Sequence, residues 1–383
     1  MLLHEPSLEK IAPPNNNSLR SYEVIGAIKS KVEAVWPRVN RGVFTIEVKC
    51  VLQTLGFQSA SNQHLSSAAA AVSEQCNPED KKVLLQIKKE LGKPRSLSSW
   101  KQKTDCCVGW VGVTCGTKSQ AYRINSLSFD ELDLPKPVPI PLSITNLPYL
   151  QYLFITDNPN IVGPLPPSLT KLKLHNLYIG QTNISGPIPD FLSQIKTLEY
   201  LKISDSKLTG TLPAWLPSLP ILTGISFDGN QLTGTIPDSF GSFPKGFDTL
   251  TLSANRLTGK IPPSLANLNL VTLHLHDNMF QGDASFLFGK RTRQIYLSNN
   301  KFVFDLGKVR VPKTVEGFEI ANNGIYGTLP KELTLLKLTW FNVSFNNLCG
   351  PIPQGGMLQT FDAAAYANNK CLCGSPLPPC KRF

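Results

Sequence analysis

His274 and His276 stand two residues apart with Asp277 beside them. In an extended chain that spacing puts both imidazoles on one face, an arrangement that permits a metal. No third His or Cys lies close by, so the pair is read as a hydrogen-bonding surface, with no metal site and no cofactor expected. Asp205, Asp228 and Asp277 are placed to approach basic groups of a partner. Catalysis would need a nucleophile with its base, or paired carboxylates, at a point set apart from the rest. None is present, and an enzyme is not expected.

The other reactive side chains are cysteines. Cys76, Cys106, Cys107 and Cys115 form one cluster, and Cys349, Cys371, Cys373 and Cys380 form another. Cys50 is left over. Four at each end suit two disulfide-stapled caps in an oxidising compartment, and spacing alone leaves three pairings open in each cap. Zinc is the weaker reading, because Cys371 and Cys373 are poorly spaced for one ion.

Between the clusters a pattern returns about every 24 residues. Leu208-Thr-Gly-Thr-Leu-Pro213, Leu232-Thr-Gly-Thr-Ile-Pro237 and Leu257-Thr-Gly-Lys-Ile-Pro262 are near copies. The full unit reads L-x-L-x-x-N-x-L-x-G-x-I-P-x-x-L-x-x-L. Its L-x-L part alternates as a strand with one buried face, and successive units must stack to bury it. The Asn side chain both donates and accepts, so it can satisfy backbone groups of adjacent turns; Thr182 and Ser206 replace it more weakly. The Gly permits a backbone geometry barred to other residues, and Ile-Pro turns the chain into an extended or 3₁₀ return. The expected fold is an α/β solenoid: a right-handed leucine-rich-repeat superhelix of about ten units with a parallel concave sheet, a second small sheet and disulfide-stapled caps. A helical pattern follows Pro78, with Val83, Leu84, Ile87 and Leu91 on one face, and Trp100 and Trp110 are placed to cover the first unit. The boundaries are an N-terminal cap at 74–118, repeats at 119–348 and a C-terminal cap at 349–383.

Residues 1–73 read as an atypical extension or a degraded export signal. Ser66 to Ser73, with Ala71 and Ser73 before a cleavage point, suit the tail of a secretory signal. The apolar run that should precede it is replaced by Gln58, Ser59, Ser61, Asn62, Gln63 and His64, and a misjoined first exon is the favoured explanation. No apolar stretch is long enough to span a membrane. The chain carries a net charge of +11, nearly all of it beyond residue 75. That charge favours anionic partners, of which nucleic acid and acidic polysaccharide are two.

The segments Cys76 to Leu91, Ser98 to Cys107, Ile188 to Leu198, Gly282 to Ser285, Phe304 to Lys308, Asn342 to Cys349 and Tyr366 to Cys373 resemble the plant polygalacturonase-inhibiting proteins, the legume members above all. The resemblance covers residues 74–380 and leaves out residues 1–63. It implies a secreted, monomeric plant defence protein of the cell wall or apoplast that binds and inhibits fungal endopolygalacturonases, limits pectin degradation and has no role with nucleic acid. It also implies the pairing Cys76–Cys106, Cys107–Cys115, Cys349–Cys371 and Cys373–Cys380. The alternative is a secreted or receptor-like ligand-binding protein without inhibitory activity. Against a receptor, the chain ends at Phe383 with no span and no kinase.

The x positions flanking L-x-L point out of the sheet and are free to serve a partner. The expected contacts are Tyr178, Gln181, Lys202, Asp205, Ser226, Asp228, Thr251, Ser253, His274, His276, Asp277, Gln294 and Tyr296. Rigid tyrosines suit a protein interface. A second column, just after the Asn, holds Lys207, Arg256 and Lys301 on alternate units, roughly 10 Å apart, with Lys260 nearby. This stripe is read as a contact for pectate or oligogalacturonides. Two glycosylation sequons begin at Asn183 and Asn342. Asn183 is expected at an exposed turn, and Asn342 is expected to be hindered between two core residues of a strand. A third sequon begins at Asn16.

Overall fold

The computed structural model describes residues 75–289 and 291–381. The expectations placed on Cys50, on Asn16 and on Ala71 and Ser73 lie outside the described residues.

Helix α1 (Pro78–Glu90) begins where the sequence supplies every start signal. The Asn77 side chain accepts from the backbone of Glu79 and Asp80, proline takes the first turn, and acidic residues there meet the positive end of the helix dipole. Leu84, Ile87 and Leu91 are fully buried, while Val83 packs only at the edge. Buried Asp80 accepts a bidentate pair from Arg123 at 2.9 and 2.7 Å and a third bond from the Ile124 backbone at 2.9 Å. That clasp fixes the helix to the first repeat. Trp100 and Trp110 stack at 5.5 Å between ring centres, and Trp100 meets Phe129 at 6.2 Å, so the two indoles close the core at this end.

Among the described residues ten parallel strands follow in chain order: Ile124–Asp130, Tyr152–Gly163, Asn176–Pro187, Tyr200–Ser204, Gly224–Ser226, Thr249–Thr251, Thr272–His274, Gln294–Tyr296, Gly317–Glu319 and Trp340–Asn342. Val113–Cys115 adds an antiparallel strand from the cap. Register is set by the leucine column. Leu153, Leu177, Leu201, Ile225, Leu250, Leu273, Ile295, Phe318 and Phe341 stand opposite one another down the stack. The prolines then start short 3₁₀ turns, such as Asp190–Gln194, Asp238–Ser242 and Pro263–Asn267, that carry a further buried leucine or phenylalanine each.

The repeat asparagine joins neighbouring units. Asn278 Oδ1 accepts from the Leu257 backbone at 3.0 Å, and its Nδ2 donates to the Leu252 carbonyl at 2.9 Å, both in the preceding unit. Asn230, Asn255, Asn300, Asn323 and Asn346 repeat both bonds. Asn158 and Asn369, which the repeat pattern passes over, do the same at the two ends. At Thr182 and Ser206 the ladder shrinks to one hydroxyl–hydroxyl bond of 2.9 Å. The residue before each rung has left-handed backbone, with φ of 54° at Asp157, 46° at Asp205, 56° at Asp277 and 57° at Asn299. Asp and Asn tolerate that region better than most side chains.

A second ribbon forms after each rung. It includes Lys207–Thr209, Arg256–Lys260, Met279–Gly282 and Lys301–Phe302. Here the repeat glycines serve as expected: Gly234 has φ of 81°. The four disulfides join Cys76 to Cys106, Cys107 to Cys115, Cys349 to Cys371 and Cys373 to Cys380.

Replacing Asn278 by alanine leaves the buried Leu257 N–H unpaired, while the Leu252 carbonyl keeps its bond from Asn255, and is expected to cost about 2–3 kcal/mol. Ser206→Ala is expected to cost about 1 kcal/mol. Urea unfolding of both variants checks the order, and equal losses would remove the ladder as the principal tie between units.

Candidate functional site

The outward positions of the concave sheet form rows. The central row runs Phe154, Tyr178, Lys202, Ser226, Thr251, His274, Tyr296, Glu319 and Asn342, each opposite the next. At about 4.8 Å per strand, Tyr178 and Tyr296 are roughly 24 Å apart. Lys202 Nζ donates to the Tyr178 hydroxyl at 2.6 Å and lies 4.4 Å from its ring centre. The ammonium is held over the aromatic face. One strand further, Gly224 opens space for Tyr200: a Cβ there would stand 2.6 Å from the ring. Burial pushes the Tyr200 hydroxyl up to about 12, with a smaller contribution from Asp228.

Asp228 is the best-supported charge on the face. It accepts from Ser226 Oγ at 2.8 Å, Thr251 Oγ1 at 2.6 Å and the Ser253 backbone at 2.7 Å. Ser226, Thr251 and Ser253 are themselves buried, which corrects the expectation that they stand free for a partner. They form the floor that aims the carboxylate. Asp205 and Asp277 are exposed, and Asp277 takes a bond from His276 Nδ1 at 2.7 Å and one from Asn299 Nδ2 at 2.6 Å. The Gln181 amide, turned with its nitrogen toward Asp157, donates to that carboxylate. His274 stacks on Tyr296 with 4.4 Å between ring centres and meets Gln294 Oε1 at 3.1 Å. Burial lowers the His274 imidazole to about 4 and pushes the Tyr296 hydroxyl up to about 12. Farther along, burial also raises the Glu319 carboxyl. The face therefore offers several carboxylates and fixed aromatic rings against a single lysine, on a chain of opposite net charge.

Lys207, Arg256, Lys260 and Lys301 are all exposed, and none forms an ion pair among the described residues. Their alignment differs from the expected stripe. Strands of the second ribbon are staggered by two residues, so Lys301 shares a row with Lys260 through Gln281, while Arg256 stands opposite Thr233 and Lys207 opposite Ser185. Counting from the Asn does not see this slant. Asp105 gathers with Cys76, Cys106 and Cys107, but these sulfurs are in disulfides and the carboxylate accepts from three backbone groups.

The leucine rich repeat N-terminal domain profile matches residues 77–116, and the leucine rich repeat profile matches 197–219, 222–243 and 247–268. Polygalacturonase inhibitor 1 of Phaseolus vulgaris is 59% identical over 321 residues, spanning 82% of this chain and 94% of its own. This chain belongs to the polygalacturonase inhibitor family. Polygalacturonase inhibitor 2 of the same plant is 60% identical over the same coverage. Among solved structures, a plant ice-binding protein is 42% identical, with a TM-score of 0.76, covering 80% of this chain and 99% of its own.

Within this polygalacturonase inhibitor fold the alternation found most of the face but missed Gly224, whose value is the space it leaves. It also stopped short of Trp340 and Phe345, both exposed. Asn342 is not hindered as expected. Phe341 and Val343 are buried beside it, but its own side chain lies on the opposite face and is part-exposed.

His274 provides a pH signature. Its imidazole is neutral in the fold down to about 4, whereas the unfolded chain takes up a proton near 6.5. Stability is therefore lost as pH falls from 6.5 toward 4, by about 2 kcal/mol at pH 5 from this group. His274→Gln is expected to flatten that part of the stability–pH curve. An unchanged slope in denaturant titrations would contradict the assignment.

Proposed function

We propose that this chain binds fungal endopolygalacturonases through the row from Tyr178 to Tyr296 and obstructs their substrate cleft, limiting pectin degradation in the plant apoplast. The observation that carries the reading is the aimed carboxylate Asp228, flanked by Asp205 and Asp277 and framed by Tyr178, Tyr200 and Tyr296. An enzyme that cuts a polyanion needs basic groups in its cleft, and such groups complement this face. Asp228 already has its hydrogen bonds in place, so docking costs it little reorganisation. Relatives that span nearly their whole length on this chain are named for the same activity. Four disulfides fit secretion, and among the described residues no helix is long and apolar enough to cross a membrane. The protein acts by occupying a surface, as a monomer, without chemistry of its own.

The direct test is reducing-end release from polygalacturonate by a panel of fungal endopolygalacturonases, with and without the protein. At least one enzyme should be slowed, and Asp228→Ala should weaken its binding about 30-fold, near 2 kcal/mol. A panel wholly indifferent to the protein would refute the proposal.

Lys207, Arg256, Lys260 and Lys301 support a separate contact with pectate, since all four are exposed and form no ion pair among the described residues. Changing Lys207, Arg256 and Lys301 to Gln should abolish salt-sensitive retention on pectate, and retention equal to the parent would reject this contact. The ice-binding structural relative favours a second reading, because exposed Thr209, Thr211, Thr233 and Thr235 lie on the same ribbon. Arg256 and Lys260 interrupt any flat hydroxyl array, and the ribbon suits an anion better.

A further inference from the structure

The central row ends at Asn342, opposite Glu319. There the concave face opens into a groove of about 460 Å³ lined by Asn299, Glu319, Asn322, Asn342 and Phe345. Amides and a carboxylate surround one aromatic ring, a combination that suits a neutral sugar: hydroxyl and acetamido groups meet the polar wall, and the C–H face meets the ring.

The ring itself is out of place in the bare fold. Phe345 has φ of 54° and is 57% exposed. Most other units put Asp, Asn or Gly at this left-handed position, and exceptions such as Gln181 and Ala254 carry no ring. A bulky residue is disfavoured there, and an exposed ring recovers nothing for it.

Asn342 begins the sequon Asn342-Val343-Ser344. Its Oδ1 is held by the Ser344 backbone at 3.1 Å and by Ser344 Oγ at 2.7 Å. Nδ2, the atom that a glycan takes, makes no hydrogen bond among the described residues. Ser344 is buried in the fold, but glycosyl transfer acts on the extended nascent chain before that burial exists.

We propose that Asn342 carries an N-linked glycan whose first sugar lies in this groove against Phe345 and closes the C-terminal end of the concave face. In the transfer Nδ2 displaces a lipid pyrophosphate from C1 of the donor sugar. The C1–O bond breaks, the C1–Nδ2 bond forms, the pyrophosphate departs and the amide proton is released. The glycan covers Glu319 and Asn322 and leaves the row up to Tyr296 to a protein partner. It stands independently of which partner that is.

The test uses the full chain directed through the secretory route of an insect cell. Enzymatic glycan release in ¹⁸O-labelled water, followed by peptide mass mapping, should mark Asn342 in most molecules. Phe345→Ala should lower the melting temperature of the glycosylated protein by about 2 °C and should not lower that of Asn342→Gln. Enzymatic removal of the glycan from folded parent and Phe345→Ala proteins repeats the comparison if Asn342→Gln does not fold. An unmodified Asn342, or the same shift with and without the glycan, overturns the proposal.

Discussion

A side-chain amide in the core decides this architecture. Each strand of the concave sheet is short, and the chain must leave it at once to begin its return. Leaving exposes backbone groups that the next strand does not reach. The repeat asparagine fills that gap with two bonds into the preceding unit, and eight rungs do so between Asn158 and Asn369. Because the ladder and the leucines satisfy the interior, the outward positions of the same strands are released from the core, and Ser226 and Thr251 serve instead to hold Asp228. The candidate surface is what remains of each strand once the core is served.

Most of this was legible from spacing. The period, the strand alternation, the 3₁₀ returns and the ten units follow from residues that recur because every unit faces the same neighbours. Asn158 and Asn369 escaped because an insertion follows the first and the second lies in the cap, where Tyr366 takes the place of the usual aliphatic residue. The stagger of the second ribbon escaped because it is a property of pairing and leaves no mark in a single unit. The resemblance supplied the disulfide partners, which spacing had left open.

The candidate face was legible as a set of positions and less so as a set of roles. Alternation cannot tell a free hydroxyl from one tied beneath a carboxylate, so Ser226, Thr251 and Ser253 read as contacts when they are supports. Likewise, a glycine among outward residues reads as a blank, although Gly224 is what lets Tyr200 lie against the sheet. Charge behaves similarly: the net balance is basic, while the concave face is rich in carboxylates.

One interruption in the ladder has a mechanical meaning. Where Thr182 meets Ser206, the inner rung between two turns is a single hydroxyl contact in place of an amide's paired bonds. Backbone pairing compensates there: Asn176–Pro187 pairs with both Tyr200–Ser204 and Lys207–Thr209, a longer run than the later strands share. The clasp of Lys202 on Tyr178 spans those same two turns on the outer side. Alignment of these two turns therefore rests on backbone pairing and on the outer clasp, and the thin inner rung is spared that task.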